Sequence, residues 1–64
     1  MTTTRVDRAA LVRRAMVEVV AEQGLNGASM SLVAKRAGVA TGTPYVHYDS
    51  KDDLLIASFV EAKR

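Results

Sequence analysis

Residues 37–51 read "AGVATGTPYVHYDSK". The passage holds two glycines, two threonines, a proline, two tyrosines and the only histidine of the chain, and its polarity suits a loop. Its flanks argue otherwise. Upstream, Met30, Val33, Ala34 and Ala37 recur at spacings of three and four, the period of a helix with one apolar face. Ser29 is placed to cap that helix at its start, and Gly38 to end it, with Val39 free to pack back. A short helix stopping at glycine, a four-residue turn "GVAT" and a second short helix form the helix-turn-helix pattern. In that motif the second helix lies in the major groove of duplex DNA with its N-terminal residues at base edges. This assigns the groove-facing role to residues 41–48.

The rest of the chain supplies a scaffold. Val12, Ala15, Met16, Val19 and Val20 follow the i, i+3, i+4, i+7, i+8 template of an amphipathic helix, with Arg13, Arg14, Glu18 and Glu22 opposite. That stripe outruns the short alternation of "VEVV", so helix is preferred to strand. Thr4 and Asp7 are spaced as a capping box, Gly24 is placed to end the helix in a left-handed conformation, and Leu25 reads as an anchor under the fold. Ser50 and Asp53 repeat the capping-box spacing, and Asp52 and Asp53 suit the first turn of a helix. Leu54, Leu55, Ser58, Phe59 and Ala62 then form a last stripe, still running at "EAKR", so a longer protein is expected.

Composition narrows the class. A chain of 64 residues holds one domain at most, and 48% apolar residues suffice for a core. Tyr45, Tyr48 and Phe59 are the only aromatics, so that core must be aliphatic. There is no cysteine for a disulfide or thiolate site, and one histidine does not make a metal centre. Neither a signal peptide nor a bilayer-spanning run is visible, and a soluble, cytoplasmic, nucleoid-associated protein is expected. The net charge of +2 says little, but Arg5, Arg8, Arg13 and Arg14 crowd the first quarter. Asp49, Asp52 and Asp53 are explained by a helix start, and no nucleophile–base set or phosphate-cradling loop accompanies them. An enzyme is not expected, nor a cofactor or metal.

The chemistry of the central passage fits a nucleic-acid face. Thr41 and Thr43 are small donor–acceptors at a helix start, where free backbone N–H groups favour phosphate. Gly42 permits close approach of the backbone. Tyr45 and His47 are residue types that typically partner phosphate, against the plainer readings of a core aromatic and a solvated surface residue, and Val46 suits a thymine methyl. Lys51 is placed to meet a phosphate beside the next helix, while Tyr48 is expected to face inward. Ser29 and Ser31 are most simply caps, at a helix start that also suits phosphate. Arg5 and Arg8 are either solvated charges or an N-terminal arm on the DNA, and Lys35 and Arg36 read as solvated.

Four segments together resemble the N-terminal DNA-binding domain of the tetracycline-repressor (TetR) family. They are "AEQG" (21–24), "VAKRAGV" (33–39), "ATGTPYVHY" (40–48) and "SKDDL" (50–54). They match a family pattern of Ala-Glu-x-Gly, a helix ending in Ala-Gly-Val, Ser-x-Gly-Thr-Leu-Tyr-x-His-Phe, and Ser-Lys-x-x-Leu. The resemblance implies an all-α, homeodomain-like three-helix bundle over residues 1–49 and the start of a connecting fourth helix over 50–64. It also implies a C-terminal ligand-binding and dimerisation domain outside this sequence. With that come a homodimer, a palindromic double-stranded operator and a small-molecule effector that releases it, with no membrane partner. Two positions depart from the pattern. Ala40 replaces a capping serine, at a cost of about 1 kcal/mol, and Pro44 replaces a large apolar residue. Proline lacks an N–H and is tolerated in the first helical turn. The recognition helix is therefore expected to start one to three residues late, capped by Thr41 or Thr43. The rival from another class is a helical protein-interaction module that docks a partner through Ile56 and Phe59 without touching DNA; a basic membrane-surface helix is more remote.

Overall fold

The computed structural model describes residues 7–62, and every regular element among them is a helix. The order is α1 (Arg8–Gly27), α2 (Met30–Ala37), α3 (Thr43–His47) and α4 (Lys51–Ala62). The first three form the helix-turn-helix bundle, and α4 packs back along α1. Val12, Ala15, Met16 and Val19 of α1 meet Met30 and Val33 of α2 and Leu54 of α4 in one buried cluster. The core is aliphatic, as the scarcity of aromatics requires, and each large side chain fully buried there contributes about 1.5–3 kcal/mol. Ser58 joins the buried face because its Oγ donates to the Leu54 carbonyl at 2.6 Å, which satisfies the hydroxyl without water.

The caps explain where each helix begins and ends. Asp7 is the N-cap of α1, its Oδ1 accepting from the Ala10 N–H at 3.2 Å. The expected box had Asp7 inside the first turn; Thr4, its other half, lies outside the described residues, as does Arg5. Ser29 caps α2 through the Leu32 N–H at 3.1 Å. Gly38 closes that helix in the left-handed region (φ 76°, ψ 30°), its N–H donating to Lys35 and that of Val39 to the Ala34 carbonyl at 3.1 Å. This is the paired-bond stop that glycine permits, with half-buried Val39 packing back on the core. Ser50 accepts from the Asp53 N–H at 3.3 Å at the start of α4.

Four expectations need correction. Gly24 does interrupt α1, but at φ 80°, ψ 169°, an extended mirror-image region rather than the left-handed helical one. The chain then makes one further turn before α2. Leu25 is consequently 56% exposed rather than tucked under the fold, and buried Ala28 fills the space instead. The backbone of Leu25 is the anchor: its carbonyl accepts from the Ala28 N–H at 3.3 Å and from Lys51 Nζ at 3.0 Å. Arg36 is not merely solvated. Its guanidinium grips both carboxylate oxygens of Glu22 and lies 3.4 Å from Glu18, tying the end of α2 to α1. Phe59 is exposed rather than part of the inner stripe, and Ala62, the last of that stripe, lies outside the described side chains.

Two outcomes are expected. Leu54→Ala, which empties the meeting point of α1, α2 and α4, costs about 2–5 kcal/mol in chemical denaturation. The hydrogen bond from Arg36 holds the Glu22 carboxyl below its usual 4.5, and raises the Arg36 value in turn. The unfolded chain therefore binds the Glu22 proton more readily than the folded one. The stabilisation is complete above the ordinary carboxylate range and disappears as pH falls through the lowered value. Denaturation across the acid range should show Glu22→Gln less stable than the parent at neutral pH, with the gap closing on acidification. A gap that does not change with pH contradicts this assignment.

Candidate nucleic-acid interface

The structure resolves where the short helix begins. Ala40 offers no side-chain cap, and its carbonyl instead accepts from the Thr43 N–H at 2.9 Å, forming a tight turn. Gly42 occupies the N-cap without a side-chain bond, so neither Thr41 nor Thr43 caps the helix as expected. The helix starts at Thr43, later than Thr41, and Pro44 falls in the first turn, where a missing N–H leaves nothing unsatisfied. The Tyr45 N–H reaches Gly42 at 3.1 Å and the Tyr48 N–H reaches Pro44 at 2.9 Å. The helix therefore ends at His47, with Tyr48 as its extended C-cap rather than its last residue. Pro44 is fully buried, so it supplies the apolar contact expected of a larger residue while ending the helix's N-terminal extension.

Burial divides this single turn into two faces. Pro44 and the half-buried Tyr48 face the bundle, against α1 and α2. Tyr45, Val46 and His47 face outward; Val46 is 79% exposed, and Tyr45 56%. Thr41 and Gly42 are exposed in the preceding turn, and Thr43 is half-buried at the helix start. Residues 41–47 thus present threonine hydroxyls, a glycine backbone, a phenol, an imidazole and a valine on one short convex segment. The His47 ring stands tilted beside that of Tyr48, with centroids 6.4 Å apart.

The neighbouring candidates are distributed unevenly around that segment. Ser31 is exposed in the first turn of α2, and Ser29 is exposed with its oxygen engaged as the cap acceptor. Lys51 is half-buried, and its ammonium sits on the Leu25 carbonyl, which also accepts from Ala28, the residue before Ser29. This bond brings a cation to the turn that leads into the α2 N-terminus, where the helix dipole is also positive. An anion is favoured there by both. Arg8 is exposed at the first position of α1, on a different helix from the convex segment. Lys35 is exposed near the end of α2.

One relevant residue escapes the sequence reading. Arg13 counts as part of the polar face of α1, yet it is half-buried and its Nη1 donates to the Tyr48 hydroxyl at 3.0 Å. The two lie 35 positions apart. Only the packing of α3 on α1 reveals the pairing; a position next to core residue Val12 is the one hint in the sequence.

Comparison with known proteins bears on the family of the chain. The family model described as bacterial regulatory proteins, tetR family, matches residues 12–58. A "Fatty acid metabolism regulator protein" of Bacillus subtilis (strain 168) is 49% identical over 47 residues, covering 73% of this chain and 24% of that protein. An HTH-type transcriptional regulator of the same organism, YvdT, is 44% identical over 46 residues, covering 72% of this chain and 24% of the relative. A further HTH-type regulator, from Haemophilus influenzae, is 40% identical over 55 residues, covering 86% and 29% respectively. The chain thus spans about a quarter of the length of these curated relatives. No solved structure matches significantly.

Proposed function

We propose a function from one premise: the chain belongs to the tetR family of bacterial regulatory proteins. It is a DNA-binding transcriptional regulator. Our reading of the whole protein is a repressor that grips a palindromic operator as a homodimer and lets go when a small molecule binds a C-terminal domain. Residues 1–49 are the DNA-binding bundle and 50–64 begin the helix that joins it to that domain, in a protein working on the nucleoid in the cytoplasm. No helix among the described residues is long and apolar enough to cross a membrane.

The observation that carries this reading is the outward face of α3. A helix of five residues that leaves a valine 79% exposed, beside a phenol and an imidazole, gains nothing for the fold by doing so. Lodged in a major groove, the same face has uses. Val46 meets a thymine methyl, Thr41 and Thr43 reach base edges or phosphate, and the Gly42 backbone approaches closely. Tyr45 and His47 hold phosphates, as do Lys51 and the serines at the start of α2. Arg8, with Arg5 before it, extends the contact as an arm.

The exposed apolar residues of α4, Ile56, Phe59 and Val60, favour a second, compatible role. They are the surface on which the remainder of the protein packs, which reconciles the interaction-module reading with DNA binding.

Titration of the full protein with duplex DNA at several salt concentrations tests the proposal. The logarithm of affinity should fall linearly with the logarithm of salt, by about 0.9 per phosphate neutralised. Lys51→Ala should lower that slope by about one, whereas Val46→Ala should alter the preference among sequences and leave the slope alone. A folded protein that ignores duplex DNA even at low salt overturns the reading.

A further inference from the structure

We infer that Arg13, acting through the Tyr48 hydroxyl, is a positioning residue that fixes how α3 is presented to DNA. The inference rests on α3 being the groove-entering helix. Five residues are too few to hold a helix by their own backbone bonds, and no side chain caps its start. Its orientation is therefore set from outside, by what its two ends touch. At the front, buried Pro44 fixes the distance to the bundle. At the back, Tyr48 lies half-buried against the core, where an apolar ring alone leaves the helix free to roll. The hydrogen bond from Arg13 Nη1, 3.0 Å from the phenol oxygen, removes that freedom. The donor is charged and its planar guanidinium has a fixed direction, so the bond specifies an angle as well as a distance.

The consequence is a matter of ångströms. Side chains reach about 5–6 Å from a helix axis, so a roll of about 10° moves their tips by about 1 Å. Hydrogen bonds to base edges tolerate only about 0.5 Å. The tie thus governs discrimination between sequences more than attraction to DNA. The family pattern ends in Phe where this chain has Tyr48, so the hydroxyl is an addition that leaves the apolar packing in place.

The experiment uses the full protein, a duplex selected from a random pool by that protein, and a scrambled duplex of equal length. Tyr48→Phe, Arg13→Gln and the double variant are compared. Each single variant should lose about tenfold in affinity for the selected duplex, the order of one charge-assisted bond. Affinity for the scrambled duplex and the salt slope should stay put, and the double variant should lose no more than either single one. If Arg13 instead touches phosphate directly, Arg13→Gln flattens the salt slope and adds to the effect of Tyr48→Phe, and the inference fails. It fails also if Tyr48→Phe discriminates as the parent does. Hydrogen exchange of free Tyr48→Phe gives an independent arm, which serves even if Arg13→Gln does not fold. The amides of Tyr45 and residue 48 should exchange faster while those of Val19 and Val33 are unchanged; uniform exchange contradicts the inference. Should the parent select no duplex, the DNA-binding reading falls, and the exchange comparison still decides whether the tie holds α3.

Discussion

Burial of Pro44 at the front of a five-residue helix is the contact on which the candidate interface depends. It fixes three things together. It ends the helix one residue upstream, because proline offers no N–H for a longer N-terminal extension. It seats α3 on α1 and α2, and it thereby turns Tyr45, Val46 and His47 away from the bundle. A larger aliphatic residue supplies the same apolar contact, but proline also stiffens the backbone before the outward-facing side chains. What the segment lacks in capping it recovers through the Thr43–Ala40 turn and through anchors at both ends.

The remaining helices form the frame that makes such an anchor useful. Val12, Met16, Val33 and Leu54 belong to one buried cluster to which α1, α2 and α4 all contribute. Polar ties then fix the frame's edges. Arg36 joins the end of α2 to the outer face of α1, and Lys51 joins the start of α4 to the turn between α1 and α2. Neither tie is deep in the core. The first holds the end of α2 on α1, and the second holds the start of α4 near the turn that leads into α2.

Much of this is legible in the sequence because it follows from local rules. The stripe of α1, the serine caps at 29 and 50, the glycine stop at 38 and the late start of α3, with Pro44 in its first turn, each depend on residues within one or two turns of each other. The family pattern points to an outward Tyr45; Tyr48, three residues on, turns inward because it leaves α3 as its extended C-cap. What the sequence does not reveal is non-local. Arg36 reaches back 14 residues to Glu22, Lys51 reaches back 26 to Leu25, and Arg13 reaches forward to Tyr48. None of these partners is visible until the helices are packed. Leu25 misleads for the related reason that an unusual glycine conformation, not its hydrophobicity, decides where it points.

On the proposed reading, residues 41–47 are the surface that meets DNA, and α4 presents a different surface for a different purpose. Mapping amide chemical shifts of the full protein during titration with a selected duplex addresses both at once. The largest changes should fall on Thr41, Gly42, Thr43, Val46 and His47, with smaller ones at Ser29, Ser31 and Lys51, while Ile56, Phe59 and Val60 stay still. Changes centred on Ile56, Phe59 and Val60, with residues 41–47 silent, would contradict it.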